Sequence, residues 1–65
     1  MTPANARKIL GVPSNAEPQE LRRAFRELCG KYHPDKVSHL GQEFQDLAHQ
    51  RFLEISAAYN LLLKD

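Results

Sequence analysis

The sequence predicts an all-α fold: an antiparallel pair of long helices with a short N-terminal helix packed across it. Three observations carry this expectation. Apolar residues recur at helical spacing in two stretches, Leu21, Ala24, Phe25, Leu28 and Tyr32, then Phe44, Leu47, Ala48, Phe52, Ile55, Ala58, Tyr59 and Leu62. Pro34 stands between the stretches and interrupts any single helix through both. No segment shows strand alternation, internal repetition or low complexity.

The first helix is expected over about 3–10. Thr2 is suited to the N-cap and Pro3 to the first helical position. Ala6, Ile9 and Leu10 share one face, and Gly11 ends the element. Val12 follows as a further core candidate, and Pro13-Ser14-Asn15 is turn chemistry. The second helix starts near Pro18, with Glu20 in the first turn where the helix dipole favours an anion. Arg22, Arg23 and Arg26 fall on the flank opposite its apolar stripe, Phe25 lies on the border between the two, and Gly30 lies on the polar face. Proline at 34 disfavours α geometry at His33, so this helix must stop at Tyr32. Val37 to Gly41 reads as loop, with Ser38 and Gly41 as its turn-formers.

The third helix is expected from about Gln42 to Leu63, roughly 33 Å long against roughly 22 Å for the second. The two should pack through Leu21, Leu28, Phe52, Ile55 and Tyr59. Arg51 projects toward the apolar face, where its stem can lie on the core while its head stays wet, and Leu53 projects toward solvent.

Sixty-five residues make one small domain, 1–65, which buries only about 60% of its unfolded surface. The single cysteine, Cys29, excludes an internal disulfide and reads as a half-buried small residue. Nothing resembles a signal peptide, and no apolar run approaches the ~20 residues that span a bilayer. The net charge of +1 hides an asymmetry. Between Arg22 and Lys36 five basic residues face Glu27 and Asp35, whereas from Gln42 to Asp65 only Arg51 and Lys64 face Glu43, Asp46, Glu54 and Asp65.

The chemistry centres on Lys31-Tyr32-His33-Pro34-Asp35-Lys36, where a conformational lock meets ionisable side chains. Alone, His33-Pro34-Asp35 reads equally well as a helix stop in a polar turn, and an arginine stripe is more often a solvated face. An enzyme reading fails because no nucleophile is fixed beside His33 and Asp35 and a small helical pair offers no deep pocket. Cys29, His33, His39 and His49 lack the spacing of a tight zinc site, so neither metal nor cofactor is expected. The alternative is a small nucleic-acid-binding module using the arginine-rich helix; the low net charge and acidic third helix argue against a broad basic footprint.

Taken together, these residues resemble the J domain of the DnaJ (heat shock protein 40 type) co-chaperones over nearly the whole chain. Ile9-Leu10-Gly11-Val12 looks like the end of that family's first helix, and Leu21 to Leu28 like its second, with Phe25 where a tyrosine is usual. Tyr32-His33-Pro34-Asp35-Lys36 matches the signature tripeptide and its flanks, and Phe52, Ile55, Ala58, Tyr59 and Leu62 match the third helix. Asn5-Ala6-Arg7-Lys8 replaces a usual tyrosine pair, which should thin that corner of the core. A connection between Asp35 and Phe52 longer than is typical resembles the bacterial, membrane-tethered DjlA type.

The resemblance implies a domain without catalysis of its own. It would dock on the ATP-bound form of a DnaK-type (heat shock protein 70 class) chaperone, stimulate ATP hydrolysis there and so assist protein folding. The implied contact residues are His33, Pro34, Asp35, Arg22, Arg23, Arg26, Lys31, Lys36 and Phe25. No small-molecule substrate and no nucleic acid is implied, and the isolated domain is expected to be a monomer. The implied location is cytoplasmic, either free or as the cytoplasmic domain of a membrane-tethered parent.

Overall fold

A computed structural model describes residues 1–64; Asp65, the last residue of the expected domain, lies outside the described residues. The described chain forms helices α1 (Pro3–Leu10), α2 (Pro18–Lys31), α3 (Pro34–Val37) and α4 (Gln42–Lys64), with no strands among them. The long axis of the molecule, 37 Å, is close to the roughly 35 Å that α4 spans at 1.5 Å per residue.

The expected punctuation holds. Thr2 caps α1, its hydroxyl accepting from the Asn5 N–H at 3.2 Å, with Pro3 in the first turn. Gly11 closes α1 in the left-handed region (φ 71°, ψ 34°), the geometry a side chain would resist. There the Gly11 N–H donates to Lys8 O and the Val12 N–H to Arg7 O, satisfying two terminal carbonyls. Pro18 opens α2 without a side-chain cap from Glu17, and α2 ends where the Tyr32 N–H donates to Leu28 O.

Helices α2 and α4 are antiparallel. Phe25 meets Tyr59, Leu28 lies near Arg51, Glu54 and Ile55, and Tyr32 near Ala48, His49 and Phe52, so contacts run backward along α4 as they run forward along α2. Helix α1 packs chiefly on α4 and less on α2. Its replacement residues do not leave an open corner: Ala6 and Ala58 are both fully covered, joined by Leu10, Leu21 and Ile55. Small side chains let the two backbones approach. The core is nevertheless made of small and medium side chains, since no large one is fully buried among the described residues.

Three expectations about packing need correction. Phe44 and Leu47 share the apolar stripe of α4 but stay 59% and 52% exposed, because α4 outruns α2 and only the four-residue α3 covers its N-terminal end. Phe52 is half-buried at that same end rather than in the central cluster, whereas Leu28 and Tyr59 do pack, half-buried, against the buried residues where α2 meets α4. The segment after Pro34 is not loop from Val37 onward; Pro34–Val37 forms one helical turn, and the turn residues begin at Ser38. Leu53 does face solvent, and the exposed Arg51 donates to Glu54 Oε2 at 3.3 Å. Among the described residues no helix is long and apolar enough to cross a membrane.

Two stability changes follow. Ile55→Ala should cost about 2–5 kcal/mol in chemical denaturation, since a buried cavity opens between all three main helices. Gly30 is exposed within α2, and a methyl group built on it meets nothing within 4 Å. Gly30→Ala should therefore raise stability by up to about 1 kcal/mol, read as a higher melting temperature.

Candidate functional site

Pro34 dictates the local backbone of the tripeptide. It pushes His33 into extended geometry (φ −63°, ψ 140°) and occupies the first position of α3, where a missing N–H leaves no bond unmade. His33 thereby becomes the N-cap of α3. Its Nδ1 accepts from the Asp35 N–H at 3.2 Å, and the Lys36 N–H donates to His33 O at 2.9 Å. An accepting Nδ1 requires that, in the neutral ring, the proton sit on Nε2, which is then the ring's donor. Asp35 Oδ2 lies 3.7 Å from the same Nδ1, and the carboxylate side chain is 92% exposed. Lys36 is exposed on the same turn.

Behind this turn lies a hollow of about 420 Å³ between the tripeptide and α4, with Tyr32, Pro34, Val37 and Phe52 among its walls. The connection to α4 is tied by side chains. Ser38 Oγ donates to Asp35 O at 3.2 Å, and Gln45 Nε2 donates to Leu40 O at 2.8 Å and to Ser38 O at 3.4 Å.

The basic residues divide into groups. Arg22, Arg23 and Arg26 line one shallow hollow with Gln19 and Glu27, all exposed, and none of the three is ion-paired among the described residues. Lys31 sits at the end of α2 with its ammonium 5.7 Å from the centre of the Tyr32 ring. From Arg22 to Lys31 the helix advances roughly 14 Å, so the arginines and the tripeptide form separate patches, lining different hollows. Phe25 does not stand free beside them: its ring stacks on Tyr59 at 4.2 Å and 9° and is half-buried. Cys29 is also half-buried, and desolvation pushes its thiol pKa above the ordinary value. Cys29, His33, His39 and His49 do not gather, and no group of three metal-binding side chains forms among the described residues.

Two features escaped the sequence reading. The α3 turn had a signal: proline with an acidic residue in the first turn marks a helix start at Pro34, with Asp35, just as it does at Pro18, with Glu20. Gln45 had none, because its acceptors are backbone carbonyls that only the fold brings within reach.

Residues 6–65 match the DnaJ domain family. The chain is 41% identical over 64 residues to the co-chaperone protein DjlA of Vibrio vulnificus strain YJ016, covering 95% of this chain and 22% of that protein. It is 40% identical over 63 residues to the co-chaperone protein DjlA of Yersinia pestis, covering 94% and 23%. It is 49% identical over 55 residues to the chaperone protein DnaJ of Thermoplasma acidophilum, covering 85% and 14%. The chain thus spans less than a quarter of the length of these relatives. No solved structure matches it.

Proposed function

This chain belongs to the DnaJ domain family, and we propose that it docks on the ATP-bound form of a DnaK-type chaperone and stimulates ATP hydrolysis there. The observation that carries the reading is the α3 turn. Its cap is made internally by His33 Nδ1, the Asp35 carboxylate stands in solvent, and the neutral imidazole, itself more than half exposed, keeps its other nitrogen as a donor. Asp35 would accept a charge-assisted bond from an arginine of the chaperone, and His33 would donate beside it. Because Pro34 already fixes the backbone, little ordering remains to be done on binding.

Arg22, Arg23 and Arg26 would act at longer range. With no carboxylate partner among the described residues, they leave a positive face available to an acidic surface, which speeds encounter and sets register. Lys31 and Lys36 would extend that field to the tripeptide. Phe25, held by Tyr59, would serve chiefly as the apolar support beneath the arginines. Stimulation would be allosteric: the domain binds the hydrolysis-competent state better than the other, and the nucleotide site belongs to the partner. The isolated domain would act as a monomer. A nucleic-acid module is not favoured, since Glu43, Asp46 and Glu54 lie along the other long helix and the relatives are named as chaperone or co-chaperone proteins.

The domain should accelerate single-turnover ATP hydrolysis by a DnaK-type chaperone. His33→Gln or Asp35→Asn should abolish the acceleration while circular dichroism and melting stay near wild type; loss only together with unfolding would make the turn purely structural. Arg22→Glu with Arg26→Glu should weaken binding most at low salt, because near 0.1 M the screening length is already about 10 Å. Equal weakening at every salt concentration would refute the electrostatic role.

A further inference from the structure

The tripeptide turn is not held by proline alone. His33 Nδ1 accepts from the Asp35 N–H, Asp35 O accepts from Ser38 Oγ, and Ser38 O accepts from Gln45 Nε2, which also donates to Leu40 O. These bonds form one unbroken chain from the imidazole to a side chain on α4. The Leu40 N–H closes a further turn on Val37 O at 3.0 Å, so the whole connection from Pro34 to Gly41 is pinned at several points. Gln45 is the point where this chain meets the long helix. It is half-buried, whereas Ser38, His39 and Leu40 are exposed, and its own backbone is anchored by donation to Gly41 O at 3.1 Å. Both acceptors are carbonyl oxygens, so the amide nitrogen of Gln45 and not its oxygen must face them, which fixes the orientation of the amide.

We infer that Gln45 is a positioning residue: from α4 it holds the connection that follows the tripeptide, and thereby keeps His33 and Asp35 in the binding-competent arrangement. The inference rests on the chaperone-docking reading for its consequence, though not for its geometry. Removing the donors would let the Ser38–Leu40 segment sample other conformations. The apparent affinity for a partner then falls by the fraction of molecules still competent. The maximal effect at saturation is unchanged, because the contact groups themselves remain.

The test uses the whole domain. Gln45→Met keeps length, helix preference and neutrality but has no N–H; Gln45→Lys restores donors on a stem of similar reach. Backbone amide exchange is measured at Asp35, Lys36 and Leu40, together with stimulation of a DnaK-type chaperone as a function of domain concentration. In Gln45→Met, exchange at these amides should quicken about three- to tenfold and half-saturation should move to higher concentration by a similar factor. The plateau and melting temperature should stay near wild type, and Gln45→Lys should return the exchange rates toward wild type. Ser38→Ala should act in the same direction, and the double variant with Gln45→Met should fall short of the product of the single effects, as expected for links of one chain. Unchanged exchange in Gln45→Met overturns the proposal, as does a fall in plateau that tracks lost melting temperature. If the wild-type domain does not stimulate the chaperone, the docking reading falls, and the exchange rates alone decide the role of Gln45.

Discussion

The backbone at Pro34 is the constraint on which the molecule turns. A proline there forbids α geometry one residue earlier and supplies no N–H of its own, so α2 must end and a new turn must begin. Ending α2 allows the chain to reverse and α4 to return along it. Starting α3 makes His33 a capping residue and sets Asp35 at the second position of a helical turn, where its N–H seeks an acceptor. Fold reversal and site geometry are consequences of the same ring closure.

The interior that stabilises this reversal is slight. Alanines at 6 and 58 bring α1 onto α4, and Leu10, Leu21 and Ile55 complete the buried set. Around it Phe25 and Tyr59 stack at the core margin, joining α2 to the far half of α4. This distribution places the firmest packing away from the tripeptide. The end that carries α3 is held by a half-buried Phe52, the buried Ala48 and the side-chain bonds of Ser38 and Gln45. Local hydrogen bonds therefore substitute there for apolar burial. Each is modest in solvent, but together they limit the conformations open to a short exposed segment.

The charge pattern follows the same division of labour. Acidic residues of α4 do not neutralise the arginines of α2 among the described residues; Glu54 is taken by Arg51 and Asp46 accepts from Gln42 at 2.8 Å. A helix face left without such partners costs little when exposed, and it preserves a field that an ion pair between the helices would quench.

Much of this was legible in the chain itself. Thr2, Gly11, Pro18 and the amphipathic stripes determine where the three principal helices begin, end and face, because capping chemistry and helical period act over a few residues. The exposed tripeptide and the arginine flank were likewise readable, since Pro34 and the spacing of Arg22, Arg23 and Arg26 are local facts. Periodicity could not say how much of each stripe finds a partner. Phe44 and Leu47 carry the same helical signal as Ala48 and Ile55, and only the unequal lengths of α2 and α4 leave the first pair in water. Nor could it reveal Gln45, whose acceptors lie five and seven residues earlier across a turn. Local order is written in neighbouring residues; burial and long-range hydrogen bonding depend on which surfaces the reversal brings together, and that is settled only when the helices pack.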